Sequence, residues 1–252
     1  MPKKLAVPLG IVAILASHVA SLAGVTPVSV YGAWHCGGDF CTWASVRSMT
    51  EFDQKNHWLI DRGNGQPAVN LVVLSFVHPW RLLNKTTDSQ TSQGVPVGMT
   101  QAVVDYFKSR NIRVMLSIGG ITYVDAWNQA LAANATQLGL NAAEVAQRMG
   151  VGIEIDYEES SNPNLTGLKA FIDAYRSMLP YDETGNNPSA RLTIDLAAGD
   201  RWLIALARKA TTDWLDTRVA VLDYANAMVP NRQPSSAADA IANWQEIGRA
   251  HV

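Results

Sequence analysis

Short apolar runs alternate with amphipathic segments along most of this chain. Six of the runs are rich in Val, Leu and Ile and have the length of strands; they cover residues 28–34, 70–77, 112–118, 151–157, 191–196 and 219–228. Several are almost continuously apolar, as is typical of strands that are covered on both faces. Strands that alternate with helical segments predict parallel βα units.

The segments between these runs carry apolar residues at helical spacing. They predict helices over residues 100–109, 141–149, 165–179, 202–210 and 237–244. Two connections, 36–69 and 81–98, are longer than ordinary βα loops. In a βα barrel, long connections after the strands commonly shape the binding face, so we expect these two to do the same.

The number of βα units predicts the fold class. Six units are too many for a small flavodoxin-like sheet and two fewer than a closed eight-stranded barrel contains. We therefore expect an α/β fold, a TIM (β/α)8 barrel of which this chain holds about six of eight units. The last residues, 247–252, follow a helix abruptly and read like a translated sequencing adapter, so we interpret 24–246 as an incomplete barrel and 247–252 as a foreign tail. A natural C-terminus is the alternative.

Composition narrows the class of partner. The 252 residues have a formal net charge of −2, and 48% of them are apolar, enough to bury a substantial core. Neither sign of charge forms blocks that would suit nucleic acid or an anionic membrane surface. We expect a neutral partner.

The first 23 residues have the pattern of a secretory signal. Two lysines precede an apolar run over 5–20, and the small residues Ser21 and Ala23 follow it where a signal peptidase would cut. A membrane anchor is the alternative, but Pro8 and Gly10 interrupt a run that is already shorter than the roughly 20 residues of a membrane span. We therefore expect an extracellular protein that has no membrane segment after cleavage.

The two cysteines, Cys36 and Cys41, are separated by four residues. In an exported chain such a close pair usually forms a disulfide that closes a small loop. His35 is adjacent, but one histidine and two cysteines make a poor zinc site without a fourth ligand. We expect a disulfide and no metal.

Three acids alternate along the run at 151–157 and just after it: Glu154, Asp156 and Glu158. In a strand they project from one face with Cα atoms about 6 to 7 Å apart, near enough for one charge to raise the pKa of the next. A solvated edge strand could also carry such a row. The flanking Ile153 and Ile155 instead indicate a buried strand, where unpaired carboxylates are costly and are kept for function.

These residues carry a resemblance to a known family. Val151-Gly-Ile-Glu-Ile-Asp-Tyr-Glu158 resembles the Asp-x-x-Asp-x-Asp-x-Glu signature of glycoside hydrolase family 18, the chitinases. On the preceding strand, Ser117-Ile-Gly-Gly120 is similar to that family's Ser-x-Gly-Gly motif. The order and the spacing of the two motifs both fit. The resemblance extends more loosely to the first, second and sixth predicted strands.

The resemblance implies a TIM barrel and a substrate-assisted retaining mechanism. Glu158 would be the general acid, Asp156 would orient the substrate's acetamido group, and Glu154 would share a proton with Asp156. Chitin or a chitooligosaccharide would be the substrate, with no cofactor, and the full-length protein would be a monomer. The substrate-binding residues implied are Tyr31, Trp34, Phe76, Ser117, Gly119, Gly120, Met228 and Asn231.

The chain also departs from the family pattern. Val151 and Glu154 replace the first two aspartates of the signature, and Pro230 stands where the family has a tyrosine that would hold the acetamido oxygen. Two alternatives to the chitinase interpretation stay open. One is a chitin-binding lectin without activity on the same barrel. The other is a divalent-metal site at the acid row, although no further ligand is placed to complete its shell.

Overall fold

The structure is a computed structural model, and it describes residues 30–36, 42–197, 203–215 and 221–228. Several sequence predictions fall outside these residues: the signal over 1–23, the helix over 237–244, the tail over 247–252, and the single positions Cys41, Pro230 and Asn231.

Six parallel strands form one sheet, as the sequence predicts. The strands are β1 (Gly32–His35), β2 (Leu71–Val77), β3 (Arg113–Gly119), β4 (Gly152–Asp156), β5 (Leu192–Ala197) and β6 (Ala225–Met228). Each strand pairs with the next one along the chain, so that the order in the sheet is the order in the sequence. The sheet is curled into a half-barrel, the arrangement of a partial TIM barrel. The predicted α/β class is confirmed at this level.

The helices agree less closely with their predicted bounds. They are α1 (Met49–Ile60), α2 (Pro79–Leu83), α3 (Gln101–Lys108), α4 (Val124–Met149), α5 (Leu165–Met178) and α6 (Ile204–Lys209). The predictions for α3, α5 and α6 are right to within two residues. The prediction for α4 begins at residue 141 and misses residues 124–140, within which the helix bends at Asn134, where φ is −166° and ψ is 80°.

The two long connections contain structure that we did not predict. Helix α1 lies in the first, and the second begins within α2 and contains a short antiparallel hairpin of Thr91–Ser92 and Val95–Pro96. Helix α1 has only three buried residues, Phe52, Leu59 and Ile60. With so few apolar positions over 12 residues, the sequence shows little helical periodicity.

The two faces of the sheet differ in chemistry. On one face, strand residues such as Leu74, Leu116 and Ile155 pack with buried residues of the helices in one large apolar cluster. The opposite face, here called the inner face, carries a small apolar cluster of Leu71, Val73 and Met115. Next to this cluster lies a row of polar residues in parallel register across four strands: Ser75, Ser117, Glu154 and Thr193.

Candidate active site

The predicted acids lie at the carboxyl end of β4. Glu154 and Asp156 project from the inner face and are 0% and 4% exposed, respectively. Glu158 lies two residues beyond the strand and is half-buried. The row therefore runs from the interior of the sheet toward its carboxyl edge, where the active sites of TIM barrels lie.

Glu154 is held by residues of the next two strands of the sheet, β5 and β6. The side-chain amide of Asn226 on β6 donates to Glu154 Oε1 at 2.8 Å. The carboxyl group of Asp195 on β5 is also hydrogen-bonded to Glu154. Burial raises the pKa of Glu154 to about 7, although the hydrogen bonds from Asp195 and Asn226 oppose that shift. Glu154 therefore titrates near neutral pH.

Asp156 and Glu158 form a second carboxyl pair. Burial, followed by repulsion from Asp195 and Glu158, raises the pKa of Asp156 to about 9. A hydrogen bond joins Asp156 to Glu158, and Asp156 is the donor in this bond. Burial also raises the pKa of Glu158, while the bonds from Asp156 and from the Ile121 backbone lower it. The proton sharing between Asp156 and Glu154 that the sequence analysis expects stays a prediction; the two acids do affect each other, because the charge of Asp156 raises the pKa of Glu154.

The backbone of Asp156 is fixed by the neighbouring strand. Its carbonyl oxygen accepts from the Gly120 N–H at 2.9 Å and from Trp127 Nε1 at 3.1 Å. Both contacts depend on Gly119, which has φ +121°; a Cβ there would lie 1.9 Å from the Asp156 oxygen and 2.3 Å from Trp127 Nε1. The second half of the Ser-x-Gly-Gly motif is thus explained by a close approach to the acid strand.

The other residues of that motif also lie beside the acids. Ser117 is buried and stands in register with Glu154. Gly120 has φ +93°, and a Cβ there would lie 3.2 to 3.3 Å from the ring of Phe76. Phe76 follows a cis peptide bond from Ser75 and is half-buried at the end of β2. The predicted residues on β2, β3 and β4 are therefore brought together.

The remaining predicted residues are more scattered. Met228 is the last residue of β6 and shares a face with Asn226. Trp34 on β1 is 42% exposed and in register with Val73 of the inner face. Tyr31 is 69% exposed and precedes β1, so it lies at the end of its strand opposite to that of the acid row. Asn231 lies outside the described residues.

Asp195 is the residue that the sequence analysis missed. It is 2% exposed, and its strand neighbour across the sheet is Asn226. The signal was present in the sequence, because Thr193 and Asp195 are polar residues two apart in an otherwise apolar run. That pattern on β5 is the same as the one that identified Glu154 and Asp156 on β4.

Neither the disulfide nor the absence of metal is tested. Cys36 is described but Cys41 is not, so their bond stays a prediction. Among the residues that the structure describes, no three or more His, Cys, Asp or Glu side chains are grouped to hold a metal ion. In the same part of the chain, no helix combines the length and the apolar character needed to span a membrane.

Comparisons with known proteins support the fold. No family model and no curated protein matches the chain. A solved structure of a GH18 chitinase from Pseudoalteromonas aurantia is similar to it, with a TM-score of 0.58 and 15% identity over 88% of this chain and 76% of that one. The Group IV chitinase of Ostrinia furnacalis gives a TM-score of 0.50 and 10% identity, covering 88% of this chain and 63% of that one.

Another similar structure is longer than this chain. The chitinase of Rhizomucor miehei matches with a TM-score of 0.49 and 20% identity over 71% of this chain, and the match spans 59% of that protein. At these identities the likeness is one of fold. The chain has the curled parallel sheet of a partial barrel, and solved structures that share this fold are family 18 chitinases.

Proposed function

We propose that this chain comes from a secreted glycoside hydrolase that cleaves β-1,4-linked N-acetylglucosamine polymers of the chitin type. The observation that carries the proposal is the pair of Asp156 and Glu158 at the carboxyl end of β4. Glu158 is half-buried at the sheet edge, and the buried Asp156 that is bonded to it has a pKa raised to about 9. Such a pair keeps a proton available at neutral pH next to a partly open position.

The proposed reaction is substrate-assisted. Glu158 passes the proton that it shares with Asp156 to the glycosidic oxygen as the bond from that oxygen to the anomeric carbon breaks, and Asp156 is left ionised. The substrate's own 2-acetamido oxygen attacks the anomeric carbon and forms an oxazolinium intermediate. Asp156 binds the acetamido N–H and stabilises the positive charge. Water then attacks the anomeric carbon and gives its proton to Glu158, so that the configuration is retained.

The environment of Asp156 supports its role as the positioning acid. Two hydrogen bonds to its carbonyl oxygen, from Gly120 and Trp127, fix the backbone from which its side chain projects. A group that must hold a small substrate amide in one orientation benefits from such a fixed base, because a displacement of about 1 Å can cost a hundredfold in rate. The structural likeness to chitinases agrees with this class of substrate.

The alternative function is a chitin-binding lectin without activity. Pro230, in place of the family tyrosine, favours it, since one contact to the acetamido oxygen would be lost. The acid Glu158 is present in this chain and favours the enzyme. Both functions predict binding of chitooligosaccharides, and only the enzyme predicts turnover.

The test is hydrolysis of a chromogenic chitotrioside by the full-length protein and by Glu158→Gln. We expect turnover by the parent and at least a hundredfold loss in the variant, with chitotriose binding retained. Glu144→Gln is a matched control, because Glu144 lies on α4 in an exposed ion pair with Lys85. Binding without turnover in the parent would support the lectin. A parent that shows no binding and no turnover would refute both functions.

A further inference from the structure

The connection between β4 and α5, residues 157–164, carries Glu158 at its second position. It is longer than most βα connections, and three of its residues, Ser160, Ser161 and Asn162, are exposed. Connections of this kind move unless their backbone is held by other groups. The contacts on either side of Glu158 therefore determine how precisely its carboxyl group is directed.

A single amide side chain is bonded to both sequence neighbours of Glu158. The hydroxyl of Tyr157 donates to Asn128 Oδ1, and Asn128 Nδ2 donates to Glu159 Oε2 at 3.1 Å. Asn128 lies on α4 and is half-buried, Tyr157 is fully buried, and Glu159 is half-buried. Asn128 thus links the residue before Glu158 to the residue after it.

The bond to Glu159 continues into the exposed part of the connection. Glu159 Oε1 accepts from the Ser161 N–H at 2.7 Å and from the Asn162 N–H at 3.2 Å. The bond from Ser161, followed by those from Asn128 and Asn162, lowers the pKa of Glu159, so this group is a carboxylate at neutral pH. Glu159 therefore holds the exposed residues against α4.

The bond to Tyr157 continues in the other direction, to the start of α5. The hydroxyl oxygen of Tyr157 accepts from the Asn164 N–H at 3.0 Å. Asn164 is the N-cap of α5, because its Oδ1 accepts from the Gly167 N–H at 2.8 Å. The hydroxyl of Tyr157 therefore joins the beginning of the connection to its end.

The two partners require an amide at position 128. The Glu159 carboxylate can only accept, so the group that faces it must donate. The Tyr157 oxygen already accepts from a backbone N–H and directs its own proton toward position 128, so the group that faces it must accept. An amide provides an acceptor and a donor in one plane, whereas a carboxylate would only accept and would repel Glu159.

We propose that Asn128 is a positioning residue, which bridges Tyr157 and Glu159 and thereby fixes the direction of Glu158 between them. This inference rests on the proposed function for its catalytic meaning, because Glu158 is the proposed proton donor. Without the bridge the acid is still present but is less well directed toward the glycosidic oxygen. Bond cleavage should then slow while substrate binding is retained.

Three substitutions separate this bridge from mere packing. Asn128→Asp keeps the shape and the acceptor for Tyr157 but replaces the donor to Glu159 with a like charge. Asn128→Ala removes both bonds. Tyr157→Phe removes the hydroxyl but keeps the ring that packs against Trp127, with centroids 5.6 Å apart. The matched control is Gln129→Ala, since Gln129 is the next residue on α4 and is exposed.

The first measurement is hydrogen–deuterium exchange of the full-length protein, read by mass spectrometry of peptides that cover residues 158–164. We expect exchange there to be about tenfold faster in Asn128→Ala and Asn128→Asp, because the acceptor at Glu159 is no longer held in place. Gln129→Ala should exchange like the parent. Equal exchange over 158–164 in the parent and in all variants would overturn the bridge.

The second measurement is the kinetics of chitotrioside turnover. We expect kcat to fall about tenfold or more in Asn128→Ala and Asn128→Asp, with KM within about threefold of the parent value. A residue that only stabilises the fold would shift the urea midpoint and leave kcat of the folded protein unchanged. Asn128→Ala combined with Tyr157→Phe should lose little more kcat than Asn128→Ala alone, because both break one bridge.

The two proposals can fail separately. A parent without turnover, together with faster exchange in the variants at position 128, would refute the proposed function and leave the bridge intact. Turnover in the parent with the same kcat in Asn128→Ala and Asn128→Asp would overturn the role of Asn128 and leave the proposed function intact. Should Asn128→Ala not fold, Asn128→Asp and Tyr157→Phe decide, because each keeps nearly the size of the original side chain.

Discussion

The indole nitrogen of Trp127 donates to the carbonyl oxygen of Asp156 at 3.1 Å. The same nitrogen reaches the Ile118 carbonyl, also at 3.1 Å, so one side chain of α4 joins the ends of β3 and β4. These bonds pass beside the bare Cα of Gly119, which leaves no room for a larger residue. The position of the acid row therefore depends on a residue that has no side chain.

A first prediction concerns this glycine. Gly119→Ala should lower the free energy of unfolding by about 2 to 5 kcal/mol, because it adds a steric conflict with Asp156 and Trp127 to the strain of a positive φ. Urea denaturation measures the effect. The matched control is Gly63→Ala, which has φ +92° and nothing within 4 Å of the added carbon. It should cost only about 1 to 2 kcal/mol from the backbone strain. Equal losses of stability in Gly119→Ala and Gly63→Ala would contradict a close approach of Asp156 and Trp127 to Gly119.

A second prediction concerns pH. Burial raises the pKa of Asp156 to about 9 and that of Glu154 to about 7, above the values that both groups have in the unfolded chain. Between pH 6.5 and 9 the folded state therefore holds more protons than the unfolded state, and the free energy of unfolding should fall as pH rises. We expect a fall of more than about 1.4 kcal/mol, the equivalent of one pKa unit.

Asp156→Asn should flatten this dependence, because the amide is neutral at every pH. Some slope should remain, because burial also raises the pKa of Asp195 and of Glu158. His35 and His78 have lowered pKa values, so they oppose this fall in stability and act only at the acidic end of the window. Urea midpoints at pH 6.5, 7.5 and 9 give the slope. A parent as stable at pH 9 as at pH 6.5 would contradict the raised pKa values.

A third prediction follows from the proposed substrate. Trp34 is half-exposed and in register with the inner face, and exposed aromatic rings offer an apolar surface to sugars. Trp34→Ala should weaken chitotriose binding about tenfold, or ~1.4 kcal/mol, in isothermal titration calorimetry. Trp58→Ala is the control, because Trp58 on α1 is 59% exposed. Equal affinities in both variants would remove Trp34 from the binding site.

A fourth prediction concerns a buried ion pair outside the site. Arg176 on α5 and Asp223 before β6 are 10% and 12% exposed, and Arg176 also donates to the carbonyl oxygens of Val221 and Ala190. Lysine cannot serve these partners together, so Arg176→Lys should cost about 2 to 4 kcal/mol. Lys169→Ala, which breaks an exposed pair on the same helix, should cost less than about 0.5 kcal/mol. Thermal or urea unfolding compares the two variants.

The central strands could be predicted from the sequence because nearly all residues of β2 to β5 are buried. Their apolar runs are interrupted by polar residues at the inner face: Ser75, Ser117, Glu154, Asp156, Thr193 and Asp195. Helix α1 could not be predicted in this way, since three buried residues leave little periodicity. The prediction also misses residues 124–140 of α4, and the bend at Asn134 lies within that missed part, where it interrupts the helical periodicity.

Within the site, the sequence predicts the residues but not their partners. The alternation of Glu154, Asp156 and Glu158 places them on one face, and the structure agrees. It could not indicate that Glu154 bonds to Asp195 whereas Asp156 bonds to Glu158, because strand register and side-chain conformation determine those contacts. Tyr31 shows a second limit of the sequence analysis. The resemblance implies that Tyr31 binds substrate, but Tyr31 precedes β1 and therefore lies at the end of the sheet opposite to the acids.

The division of the sheet into an apolar face and an inner polar face bears on how such a protein can change over evolutionary time. Packing against the helices involves residues such as Leu74, Leu116 and Ile155, whereas the acids project the other way. A substitution at Glu158 alters chemistry without removing any of that packing. Under the proposed function, a single change at Glu158 could therefore end catalysis in a lineage while the packing of the sheet against its helices stays the same.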